Sequence, residues 1–221
     1  MISLSWTRPS SKQEASCLSR CRSFNYDAKY EGATRDTPLL ESCKQSLKKD
    51  GYFVNHAQVK IGSGHDAFLK GKQLLQNWGH FQLPWASVDA NTPVIEGHKF
   101  CICSRELVAW LINPLQILYV DSKDSPFCPL SKAQSQTSAQ RAAFAFGSGT
   151  LQGHLLAGEE RFGIEWREDD SVWYEILSFS KPAHFLSAVG YPVVRFKQKL
   201  FTKQSTEKMV QAVANQASLP P

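Results

Sequence analysis

Residues 143–180 read AFAFGSGTLQGHLLAGEERFGIEWREDDSVWYEILSFS. The run divides into three segments of mixed apolar and polar residues, 143–155, 159–167 and 171–180. Ala157-Gly158 and Glu168-Asp169-Asp170 separate them, and residues of these types mark turns. The pattern predicts an antiparallel three-stranded meander. Gly147, Gly149 and Gly153 recur at even spacing in the first segment, so all three are expected on one side of that strand. Glycine in a strand marks a bulge or the close approach of another group. A helix crossing that face is the expected cause, with a bound ligand as the alternative.

Working outward, Pro182 opens a short predicted helix over 183–189, and Pro192 a longer one over 193–214. Val193, Phe196 and Leu200 form the apolar stripe of the second helix. The stripe loses phase near Ser205, where a kink or restart is expected. Residues 215–221 should fray. Upstream, 52–61 alternates as a strand, with Phe53, Asn55, Ala57, Val59 and Ile61 on one side. Residues 66–78 carry a helical stripe of Phe68, Leu74, Leu75 and Trp78. Residues 99–104 and 115–121 read as strands, and 107–112 as strand or helix. Residues 122–141, dominated by Ser, Gln, Lys and Pro, form a surface insertion. Residues 1–49 are irregular, with a helical possibility over 39–47. The expected product is a single soluble α+β domain over 1–221, in which a curved antiparallel sheet surrounds a C-terminal helix.

Of the 221 residues, 42% are hydrophobic and 20% charged, which excludes wholesale disorder. A net charge of +5 is mild for a nucleic-acid binder, and no such partner is expected. Part of the excess is local, in Lys181, Arg195, Lys197, Lys199, Lys203 and Lys208 against Glu207 alone. The first five are candidate contacts to a membrane surface or another anion, against the plain reading of a solvated helix face. The six cysteines contain no C-x-x-C and read as reduced thiols in an intracellular compartment. No apolar run approaches the ~20 residues of a membrane-spanning helix. Residues 1–24 are Ser-rich with one acid, Glu14, a composition shared with organelle transit peptides.

Recognisable chemistry is sparse. The six histidines show no zinc spacing and no H-E-x-x-H. No G-x-S-x-G nucleophile turn occurs, and Gly62-Ser63-Gly64 lacks the context of a phosphate loop. No catalytic constellation, metal or cofactor is therefore expected. The best polar group is Thr150 and His154 with Glu159, Glu160 and Arg161. Consecutive strand residues alternate, so only one of the two glutamates faces the interior. A histidine beside a carboxylate can do acid–base work, as in a hydrolase or lyase; the alternative is a structural hairpin end with a Glu–Arg pair. Trp85, Trp110, Tyr119, Phe144, Phe146, Trp173 and Phe179 supply either a plain core or the wall of an apolar cavity.

The runs GSGTLQGH (147–154), GEERF (158–162), VWYEI (172–176) and FSKPA (179–183) resemble uncharacterised protein family 0548 of plants and bacteria. So do Phe24-Asn25-Tyr26-Asp27, residues 59–64, Trp78 and Gly190-Tyr191-Pro192, with a plant-like start at Leu4-Ser5-Trp6 and Arg8-Pro9-Ser10. The resemblance covers nearly the whole chain and makes residues 1–24 part of the domain. It implies a helix-grip fold of the START and Bet v 1 kind, whose members bind lipids or other apolar ligands. It carries no catalytic residues. Plant relatives resemble a small chloroplast outer-envelope protein with cation-channel character, which implies the chloroplast outer envelope or the cytosol of a plant cell. Two main readings follow. One is a non-catalytic module holding an apolar small molecule, with Trp110, Tyr119, Phe144, Phe146, Thr150, His154, Glu159, Glu160, Arg161 and Trp173 as candidate contacts. The other is a membrane-associated or channel protein, and an enzyme using His154 with Glu159 or Glu160 ranks third.

Overall fold

The computed structural model describes residues 3–106, 109–124, 140–184 and 190–215. Eight strands lie among them: β1 (Ser3–Ser5), β2 (Phe53–Ser63), β3 (Ala86–Ser87), β4 (Lys99–Glu106), β5 (Ala109–Asp124), β6 (Gln140–Thr150), β7 (Leu156–Arg167) and β8 (Ser171–Pro182). The α-helices are α1 (Ser11–Leu18), α2 (Glu41–Lys49), α3 (Gly64–Gln76) and α4 (Tyr191–Asn215). All pairings are antiparallel, in the order β2-β8-β7-β6-β5-β4-β3, and β1 pairs with β5. The sheet curls around α4, which packs against β2 and β8, with α3 beside it. This is the α+β helix-grip architecture expected from the sequence.

The meander forms for local reasons. Asp169 Oδ1 accepts the Ser171 N–H at 3.0 Å, and Asp170 takes a left-handed conformation (φ 68°), which turns β7 into β8. β6 is shorter than expected. It ends at Thr150, and the chain leaves the strand through a turn in which the His154 N–H reaches the Leu151 carbonyl at 3.0 Å. Gly153 sits in this turn with φ 98°, outside the strand. Of the undecided stretch 107–112, Ala109–Ile112 belong to β5 and pair with β4, and 107–108 lie outside the described residues.

Each sheet face has its own cover. Phe146, Phe162, Val172, Tyr174 and Ile176 point inward to Phe68 and Leu75 of α3 and Met209 and Val213 of α4. Full burial of such side chains is worth about 1.5–3 kcal/mol each. The outer face is covered by the N-terminal segment, which the sequence left mostly irregular. Tyr30, Leu39, Leu47 and Tyr52 pack there on Leu177 and Phe179. Under α1, Cys17 and Cys21 meet Cys101, Ile112 and Leu151. Ser10 starts α1 with a capping box, donating its N–H to Gln13 Oε1 at 2.9 Å. No disulfide joins the five described cysteines.

Two expectations need correction. The strand glycines do not receive the C-terminal helix, because they face outward. A Cβ at Gly147 would collide with the Tyr119 ring, and one at Gly149 would lie 2.6 Å from the Tyr26 hydroxyl and 2.9 Å from the Phe24 ring. Tyr119 reaches that face because a bulge between Ile117 and Tyr119 shifts the alternation of β5. The helix stripe also differs. Val193 and Phe196 are exposed, and the inward face of α4 runs through Phe201, Ser205, Met209 and Val213. The helix continues through Ser205, whose hydroxyl lies 2.8 Å from that of Tyr174. Polar residues on a buried stripe produced the apparent loss of phase. Residues 185–189 of the predicted helix, most of the 122–141 insertion, the 216–221 tail and Cys128 lie outside the described residues, and Ala183 and His184 are not helical.

Candidate functional site

Between the inner sheet face and the first half of α4 lies a cavity of about 630 Å³. That is the size of a small-molecule site. Its wall is largely apolar, with Phe81, Ile102, Leu111, Leu115, Phe162 and Ile176 facing Val194 and Phe201 of α4. The rings of Phe81, Phe162 and Phe201 pack together, with centroids 4.7–6.1 Å apart.

One polar row crosses this wall. Ser148 of β6 pairs with Glu160 of β7, Glu160 with Ser178 of β8, and Ser178 with Asn55 of β2. Asn55 continues to α4 by donating to Thr202 Oγ1 at 3.1 Å. Glu160, Ser178, Asn55 and Thr202 line the cavity. The Ser148 hydroxyl is 3.5 Å from the Glu160 carboxylate, a long hydrogen bond. Burial dominates and pushes the Glu160 carboxyl up to about 7, with the Ser148 hydroxyl pulling weakly the other way. The Ser148–Glu160–Ser178–Asn55 row was missed in the sequence. Alternation along each strand was the available signal, but it required the cross-strand register.

Glu159 is the reverse case. It borders the cavity, yet its carboxylate is turned to the outer layer. Tyr26 OH (2.7 Å) and the Gly32 N–H (2.6 Å) donate to Oε1, while the Thr34 N–H (3.1 Å) and Thr34 OH (2.9 Å) donate to Oε2. Burial raises its pKa against these four donors. The expected hairpin Glu–Arg pair is replaced by a longer-range one. Arg161 donates to Glu175, which also accepts from Gln58 and Thr37 and meets His56 Nε2 at 2.8 Å. Burial alone would raise the Glu175 pKa, but Arg161 and these partners outweigh it and lower it.

His154 does not form the expected acid–base pair with either glutamate. Its Nδ1 accepts the Leu156 N–H at 2.9 Å, so the neutral ring carries its proton on Nε2. Burial pulls its pKa down to about 4. The ring lies between the main cavity and a smaller recess bordered by Asn25, Lys181 and His184. Thr150 also borders the cavity, but its hydroxyl is committed to Asn25 Oδ1 (2.6 Å) and the Gly158 backbone.

Of the remaining aromatic candidates only Trp85 and Phe179 border it. Phe144 and Phe146 are inner core. Tyr119 lies outside over Gly147, with its hydroxyl 3.0 Å from that of Thr34. Trp110 alternates with Leu111 and so faces away. The Trp173 indole donates to Ser171 Oγ and stacks under Arg167. Trp85 does border the cavity, and its indole donates to Gln204 Oε1 at 2.7 Å. The basic residues do not share one face. Lys181 lies over Tyr52 and Arg195 over Phe53, while Lys197 is held by Glu106 at 2.7 Å. Lys199 and Lys203 are exposed.

Comparison with known families gives a match over residues 40–208 to a domain of unknown function, DUF1990. A UPF0548 protein of Arabidopsis thaliana is 48% identical over 96% of this chain and 98% of its own length. The chain belongs to the UPF0548 family. Another UPF0548 protein, from Dictyostelium discoideum, is 32% identical over 87% of this chain and 86% of its own. Solved structures similar to this UPF0548 chain include a hypothetical protein of Helicobacter pylori, with a TM-score of 0.46 and 14% identity over 73% of this chain and 86% of that one. Ara h 8.0201 gives a TM-score of 0.43 and 12% identity over 75% of this chain and 99% of its own.

Proposed function

We propose that this UPF0548 protein is a non-catalytic module that holds a lipid or another apolar small molecule between its sheet and α4. The observation that carries this reading is the cavity of about 630 Å³, walled by apolar and aromatic side chains in a core that is otherwise filled. A concave apolar wall of this size that meets water favours an apolar occupant. The polar row at one wall supplies the few directional contacts that fix a ligand's orientation. A chemical role for His154 is not supported, since no hydrogen bond joins it to a carboxylate among the described residues. The channel reading has no observation in its favour. Among the described residues no helix is long and apolar enough to cross a membrane, which says nothing about strands.

Native mass spectrometry of protein purified from plant cells tests the proposal directly. An adduct released by organic extraction is the expected result. As a second arm, uptake of the fluorophore N-phenyl-1-naphthylamine should fall strongly in Ser178→Phe, whose ring would occupy the cavity. Absence of both adduct and fluorophore uptake in a cooperatively folded protein overturns the reading.

A further inference from the structure

Three interior carboxylates sit on neighbouring strands and have different surroundings. Glu159 accepts four hydrogen bonds from the N-terminal layer, and Glu175 is paired with Arg161 and three further side chains. Among the described residues Glu160 has only the Ser148 hydroxyl at 3.5 Å, and it borders the cavity. Glu160 is half-buried, and a carboxyl partly withdrawn from water with so weak a partner is costly in its charged form. Its neighbours do not relieve it. Among the described residues Lys197 is the one Lys or Arg in the cavity lining, and Glu106 (2.7 Å) and the Arg105 carbonyl (2.6 Å) hold its ammonium. His154 and Glu106 share the lining, and Tyr174 of β8 is the titratable group that feels the Glu160 charge.

From this arrangement we infer that the ligand is an amphipathic amine, its ammonium directed at Glu160 and its apolar body among Phe81, Phe162 and Phe201. The inference rests on the ligand-binding reading above. An ammonium supplies several donors to a carboxylate that now has one distant donor, and a cation–carboxylate hydrogen bond is stronger than a neutral one. The low polarity of the site strengthens the attraction. The aromatic cluster supplies the apolar contact for the body of the ligand. A ligand bearing its own carboxylate would meet Glu160 with like charge and would find Lys197 already paired. A neutral alcohol would gain one hydrogen bond and no charge interaction.

The proton balance gives a second signature. Glu160 titrates near 7 in the empty cavity. Binding an ammonium stabilises the carboxylate, so below that pH the complex forms with release of the carboxyl proton to solvent.

Calorimetric titrations with decylamine, decanol and decanoate, each below its micelle concentration, test the inference. At about pH 8 decylamine should bind the parent at least about tenfold more tightly than the other two. At about pH 6 its binding should release up to one proton, read from the dependence of the heat on buffer ionisation. Glu160→Gln, first shown to melt cooperatively, should bind decylamine no better than decanol. Equal binding of amine and alcohol to the parent overturns the amine assignment and leaves the cavity reading standing. So does an amine preference that survives in Glu160→Gln, or amine binding without proton release at about pH 6. If none of the three binds and N-phenyl-1-naphthylamine is not taken up, the cavity reading falls and this one with it.

Discussion

Glu159 and Glu160 are adjacent on β7 and point to opposite faces of the sheet. The first closes the outer layer, accepting four hydrogen bonds from Tyr26, Gly32 and Thr34, and the second opens on the cavity with Ser148 alone. Pleating separates them by construction. The same residue type therefore acts as a structural clamp at one position and as an unpaired interior acid at the next.

Glu159→Gln should loosen the N-terminal layer. The substitution leaves buried donors of Gly32 and Thr34 facing an amide that must itself donate. A loss of roughly 2–3 kcal/mol is expected in urea unfolding. Faster amide hydrogen exchange at Gly32 and Thr34 than at β7 core positions would locate the effect. Uniformly faster exchange would argue against a local clamp.

The pH dependence of Glu160 runs the other way from an ordinary paired carboxylate. Its pKa is near 7 when folded, against an ordinary value of 4.5. Between these values the native state keeps a proton that the unfolded chain releases, so stability falls as pH rises from 4.5 through 7 and stays lowered above. Glu160→Gln should therefore be more stable than the parent at about pH 8 by ~2 kcal/mol, a figure reduced from the full shift because the cavity admits water. The gain should vanish near pH 4. An equal gain at both pH values would assign the effect to packing instead.

His80 is buried among Trp78, Phe81, Phe146 and Phe162, and neither ring nitrogen has a hydrogen-bond partner among the described residues. Burial pulls its pKa down to about 3 from 6.5. Below 6.5 the unfolded chain takes up a proton that the native ring refuses, so this group costs stability as pH falls toward 3. Replacing it with Phe should be neutral or stabilising near pH 7. Near pH 4.5 the variant should gain on the order of 2–3 kcal/mol over the parent in thermal or urea unfolding. Strong destabilisation at neutral pH would reveal a bound water or partner at His80.

A side chain at Gly147 has no room beneath the Tyr119 ring. Gly147→Ala should cost about 1–3 kcal/mol through overpacking. In a Tyr119→Ala background the added cost should largely disappear, giving a coupling of about 1 kcal/mol or more in a double-mutant cycle. Additive losses would show that the clash lies elsewhere.

Much of the architecture was legible because its signals are local. The turn at Asp169–Asp170, the alternation of β2 and β8 and the helix after Pro192 depend on neighbouring residues, whereas the turn expected at Ala157-Gly158 falls at 151–155 and Gly158 lies inside β7. The candidate site was legible in part: Thr150, His154, Glu159 and Glu160 do border the cavity. Trp110, Tyr119, Phe144, Phe146, Arg161 and Trp173 do not, since an aromatic or a charge in a strand carries no mark of the face it takes once a bulge or a register is set. The N-terminal layer was illegible for a related reason. Its short helices and turns gain their stability from Leu177 and Phe179, more than a hundred residues away.

The sequence by itself determined that Glu159 and Glu160 must part company, because alternation along a strand is a covalent property of the backbone. Only the tertiary structure decided which of them faces the cavity. That choice depends on the β6–β7–β8 register and on α4 closing one face while Tyr26, Gly32 and Thr34 cover the other. These contacts join residues far apart in the chain, so no local pattern encodes them. The same physics turned the glycines of β6 outward to Tyr119 and Tyr26 and left the cavity, with its single nearly unpaired acid, on the opposite side.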